Sequence, residues 1–136
     1  MNHETVNNDY SPTILIVGDR EQKKEFNSAI LSEFNKVYFS NLECTTVLSW
    51  IQQNQPSLII FKFDCPKKLN SDLISSLRLD WLTRNIPIII MSNRFALQSI
   101  ADLDYDAYLS WSDTTADLEK AVCSLINTLA CQINAG

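Results

Sequence analysis

The chain has 136 residues, 46% of them hydrophobic and 20% charged, enough for one soluble globular domain that needs no disulfide or metal staple. Eleven Lys and Arg against sixteen Asp and Glu give a net charge of −5, which argues against a nucleic-acid surface and against an anionic membrane. The only histidine, His3, falls in a polar leader and the only glycines are Gly18 and Gly136, which excludes a histidine-based catalytic or metal centre and a glycine-rich phosphate loop from the body of the chain.

Residues 1–12 read as a flexible leader and 13–136 as a single domain. Thr13 to Val17 is an apolar run without polar alternation, the pattern of a strand covered on both faces. Glu21 to Phe34 follows as a helix, with Phe26, Ile30 and Phe34 at fourfold spacing, and Val37 to Phe39 is a short second strand. Ser40 and Glu43 have the spacing of a capping box, so a second helix is predicted from Ser40, carrying Val47, Trp50 and Ile51 and stopping before Pro56. Leu58 to Phe61 is a third strand, wholly apolar and therefore central. Leu69 to Leu82 is a third helix with Leu73, Leu77 and Trp81 in line. Ile86 to Met91 is a fourth strand, Phe95 to Leu103 a short helix, Ala107 to Leu109 a fifth strand, and Asp113 to about Gln132 a final helix.

Alternating β and α units on short connections predict an α/β fold: a flavodoxin-like, doubly wound parallel sheet with strand order 2-1-3-4-5. The core is predicted to hold Ile14, Ile16, Leu58, Ile60, Ile88 and Ile90. Function is expected at the carboxyl ends of strands one and three, where Gly18-Asp19 and Lys62-Phe63-Asp64 meet. Cys44, Cys65, Cys123 and Cys131 form no C-x-x-C pair, and no secretory signal or long apolar run is present, so they read as reduced thiols of a cytoplasmic protein. Cys65 lies close to the expected pocket, where loop packing is the plain reading and redox chemistry the sharper one.

From Thr13 to about Gln132 the chain resembles the receiver domain of bacterial response regulators. The resemblance rests on Ile14-Leu15-Ile16-Val17-Gly18-Asp19-Arg20, on Pro56 to Pro66, on Ile86 to Asn93 and on Tyr108-Leu109-Ser110-Trp111-Ser112, in that order and at compatible spacing. It implies a two-component signalling module whose carboxylates hold Mg²⁺, whose aspartate accepts phosphate and whose lysine steadies the product. This sequence departs from that pattern at decisive places. Gly18 replaces one acid of the pair that leaves Asp19, Lys62 stands at the phosphoacceptor, Trp111 at the lysine and Ser112 at its proline. Ser92 falls on the switch Ser/Thr and Tyr108 on the switch aromatic.

The resemblance therefore implies a degenerate, pseudo-receiver form: a non-enzymatic, phosphorylation-independent module without cofactor or metal, acting through protein partners, as a regulatory part of a longer regulator. Lys62 is expected to replace the metal as a built-in cation paired with Asp19, or with Asp64; the plainer reading sends it to solvent. Gly18 reads more simply as room to turn, Asp19 as a helix cap, Ser92 and Tyr108 as packing residues, and Trp111 as either a partner anchor or a lid. The last helix carries Leu118, Val122, Leu125 and Leu129, a surplus of apolar surface expected to form a homodimer face or a connector, against the alternative of a broad contact with its own core. Two other functions are weighed: phosphorylation at an atypical acceptor, Asp64, and sensing of a small apolar ligand such as a quinone.

Overall fold

The computed structural model describes residues 12–18, 34–40, 44–63, 71–92, 103–110 and 115–126. Five strands, β1 (Thr13–Gly18), β2 (Asn35–Ser40), β3 (Leu58–Lys62), β4 (Ile88–Ser92) and β5 (Ala107–Ser110), form one sheet in the order β2-β1-β3-β4-β5. Every neighbouring pair is parallel. Three helices are described: α1 (Cys44–Asn54), α2 (Ser71–Leu79) and α3 (Thr115–Leu125).

The unbroken apolar strands follow from burial on both sides, because successive side chains alternate between the two faces. Ile14, Ile16, Leu58, Ile60 and Ile89 face one layer, where Leu118, Val122 and Ile126 close over them. Leu15, Val17, Ile59, Phe61, Ile88 and Ile90 face the other, against Val47 and Ile51 of α1 and Leu73, Ile74 and Leu77 of α2. All six predicted core residues are buried. Each such Leu or Ile contributes about 1.5–3 kcal/mol over exposure.

Element ends differ from the sequence reading, each for a local reason. Ser40 is the last residue of β2, in register with Gly18, and α1 is described from Cys44; residues 41–43, where the predicted helix start falls, lie outside the described residues. α1 ends at Asn54 with Gln55 in the left-handed region (φ 48°), just before Pro56. α2 stops at Leu79, short of the predicted Leu82. Asp80 turns the chain: its carboxylate accepts from the Leu82 amide at 3.0 Å and its carbonyl from the Thr83 and Arg84 amides. The buried Thr83 hydroxyl then donates to the Leu77 carbonyl at 2.7 Å, occupying an acceptor the helix end would leave open. Trp81 is thereby outside the helix and 73% exposed, not in line with Leu73 and Leu77. β4 begins at Ile88 rather than Ile86, whose amide and carbonyl are engaged by Thr83 and Arg78.

The assignment of Leu118 and Val122 to a dimer face is corrected. Both are buried in the chain's own core, with Leu125 packed partly against it, so these residues close over the sheet. Leu129 lies outside the described residues, as do residues 21–33 and 95–102 of the helices predicted over Glu21 to Phe34 and Phe95 to Leu103, whose last residues, Phe34 and Leu103, are described and are not helical.

Candidate functional site

Parallel pairing places the ends of β1, β3 and β4 side by side. Gly18 is in register with Ser40 on one side and Lys62 on the other, and Lys62 with Met91. Ser92 follows at the end of β4, in register with Ser110. Gly18, Lys62 and Ser92 thus share the carboxyl pole of the sheet. Asp19, Asp64, Cys65 and Trp111 lie outside the described residues.

Gly18 is ladder-paired and has no positive φ, so it is not there to make a turn. It is there because β3 comes too close for a side chain. A Cβ at this position would overlap the Lys62 carbonyl oxygen and stand 3.1 Å from the carbonyl carbon, and the neighbour is backbone, which cannot swing aside. Glycine suits such a close approach.

Lys62 is 2% exposed. Its side chain does not reach open solvent, which sets aside the solvent-directed alternative. An ammonium held this deep needs hydrogen-bonding and charged neighbours to offset lost hydration.

Ser92 is buried and touches Tyr108, 16 residues away on the neighbouring strand. The Ser92 hydroxyl donates to the Tyr108 oxygen at 3.2 Å, and the Tyr108 hydroxyl donates to the Ser92 carbonyl at 3.2 Å. The tyrosine is one turn of the ladder behind, in register with Ile90, so its ring reaches forward along the sheet to the pole. The two residues singled out as a switch-like pair are therefore in direct contact. Tyr38 on β2 has its phenol pushed above the ordinary 10.0 by burial.

At the opposite pole lies a constellation the sequence reading missed. Arg78, 14% exposed, donates from Nε to the Asp104 carbonyl at 3.0 Å and from Nη1 to the Arg84 and Ile86 carbonyls at 2.7 and 3.0 Å. Its Nη2 meets Asp106 Oδ2 at 2.7 Å, and the same oxygen accepts from the Ile88 amide at 2.7 Å. A signal for it existed in Asp104 and Asp106, which lie just before β5.

No family model matches the chain. It is 33% identical over 86 residues to histidine kinase P4 of Formosa agariphila, a match covering 62% of the chain and 6% of that kinase's length. Solved structures align over most of both chains. A protein of Chloroflexus aurantiacus assigned as a response regulator superposes with TM-score 0.69 at 19% identity, over 85% of this chain and 97% of that one. The chemotaxis response regulator CheY4 of Vibrio cholerae gives 0.67 at 14%, over 85% and 99%. The receiver domain of a sensor histidine kinase from Pseudomonas aeruginosa, solved with magnesium coordinated in its active-site cleft, gives 0.65 at 18%, over 87% and 99%.

The described residues at the carboxyl pole do not fit a magnesium ion. Such an ion takes oxygen donors, above all carboxylates. Gly18 brings no side chain and no space for one, and Lys62 brings an ammonium without a lone pair. No group of three or more His, Cys, Asp or Glu able to hold a metal occurs among the described residues. Nor is any helix among them long and apolar enough to cross a membrane. Strand order, parallel pairing, helices on both faces and close superposition lead to one conclusion: this chain has the receiver-domain fold.

Proposed function

We propose that the chain is a pseudo-receiver: a signal-transduction module that is not an enzyme, carries no phosphoryl group and acts through protein partners in the cytoplasm of a bacterium. The observation that supports this most is the buried Lys62 at the end of β3, beside a Gly18 that has no room to become an acid. A lysine at that place cannot form an acyl phosphate, and its charge opposes a divalent cation. The partial match to a histidine kinase and the likeness to bacterial regulators support a place in two-component signalling.

Magnesium titration tests the metal half of the reading. The wild type is expected to show no heat of binding and no change in melting temperature at millimolar Mg²⁺; saturable binding that stabilises the fold contradicts it. Lys62→Asp adds an acid to this pole. It is expected to melt lower in chelator and to recover part of the loss with Mg²⁺, by about 1.4 kcal/mol when the ion is at ~10 times its dissociation constant.

A further inference from the structure

Among the described residues, three large apolar side chains are left outside the two core layers: Leu79, 86% exposed, Trp81, 73% exposed, and Leu82. They follow one another where α2 ends and the Asp80 turn begins. Since α2 runs from the carboxyl end of β3 to the amino end of β4, they stand at the pole opposite Gly18 and Lys62. Leu79 also lines a cleft of about 280 Å³, together with Ile74 and Leu103, with Arg78 in its wall and Asp104 on its rim. That volume lies below the ~300–1,000 Å³ usual for small-molecule sites and suits one or two apolar side chains.

We propose that this surface is a docking site for a basic amphipathic segment of a partner protein, with an apolar side chain in the cleft and Lys or Arg beside Asp104. The proposal deepens the reading of the chain as a binding module by giving the partner's chemistry. Charge selects the occupant. Asp72 and Ser75 share the exposed face of α2 with Leu79, and Asp104 is exposed on the rim, while the Asp80 carboxylate is taken up by the Gln52 side chain at 2.9 Å and by the Leu82 amide. Against these acids, Arg84 is the exposed base of the turn; the Arg78 guanidinium is turned inward onto carbonyls and Asp106 and stands 3.7 Å from a carboxylate oxygen of Asp104, whose side chain is nonetheless 74% exposed.

An acidic rim attracts a cationic segment and repels an anionic bilayer. Two copies meeting through this face would bring their acids together, which counts against self-pairing. The floor is already ordered: Arg78 is held by four hydrogen bonds and Thr83 by the helix end, so little has to be ordered on binding. Exposed tryptophan is enriched at interface centres, and Trp81 follows Leu79 of the cleft by two residues.

The test is an amide-shift titration of the isotope-labelled chain with a synthetic helical peptide of leucine and lysine, and with its leucine–glutamate counterpart, at physiological ionic strength. The lysine peptide is expected to shift amides from Leu79 to Arg84 and around Asp104, and the glutamate peptide to leave them unmoved. Leu79→Ser with Trp81→Ser is expected to weaken binding about tenfold or more, as loss of an interface anchor does, with the melting temperature unchanged because neither side chain is in the core. Asp104→Asn is expected to weaken it severalfold. Shifts that map elsewhere, equal binding by both peptides, or unaltered binding by the double variant overturn the proposal. So does sedimentation of the free protein as a dimer that the double variant dissociates, or binding to phosphatidylglycerol vesicles that it abolishes. These variants leave the Lys62 pole untouched, so failure here is distinguishable from failure of the phosphorylation-independent reading.

Discussion

Gly18 and Lys62 constrain each other through backbone rather than through side chains. The missing Cβ of Gly18 is what lets β1 and β3 close at this end of the ladder. Gly18→Ala is expected to lower stability by about 2–3 kcal/mol, the upper range for forcing atoms into a packed site, measured by urea unfolding; a neutral substitution would mean the strands part without cost. Gly18→Asp carries the same clash, so an acid cannot simply be restored here. Sequence reading identified the place of Gly18 correctly and its reason wrongly, because a one-dimensional pattern shows that a glycine follows a strand but not how near the next strand comes. Arg78 shows the converse limit. It reads as an ordinary surface base of an amphipathic helix, yet its guanidinium joins the α2 end, the turn at 80–86 and the start of β5. Arg78→Met is expected to cost about 2–3 kcal/mol by leaving several acceptors without donors, and Arg78→Lys to recover little of it, since one ammonium cannot span a planar fork of partners.

Helix ends are set by single residues whose influence outweighs periodicity. Leu73, Leu77 and Trp81 have helical spacing, but Asp80 offers its own carboxylate and carbonyl to the next amides and the helix stops. β2 extends through Ser40 because β1 is six residues long and supplies a partner for each position. The strands were more legible: short apolar runs rich in β-branched residues, bounded by turn residues, suit strands buried on both faces, and their alternation assigns each side chain to a layer. At the end of α1, Gln55 holds a left-handed backbone that favours glycine. Gln55→Gly is expected to raise stability by about 1 kcal/mol, read as a higher melting temperature; a loss would mean that the Gln55 side-chain bond to the Gln52 carbonyl outweighs the relieved strain.

At the scale of the molecule the two poles of the sheet carry different chemistry. The carboxyl pole holds a buried lysine, a glycine without space for an acid and the Ser92–Tyr108 contact. The amino pole holds an ordered arginine clamp beneath exposed Leu79 and Trp81. The sheet order was legible from alternating apolar and amphipathic segments under the right-handed crossover rule. The exposed patch was not, because an apolar residue in a helical pattern looks alike whether it faces the core or solvent.

Whether this fold still takes a phosphoryl group is the question on which the account turns. Its most direct test is intact mass spectrometry of the wild-type chain after incubation with acetyl phosphate and Mg²⁺, beside a receiver domain that retains its aspartate. The account predicts no gain in mass for this chain while the control gains one phosphoryl group. A stable gain of one phosphoryl group, located to a carboxylate such as Asp64 or Asp19, would contradict it.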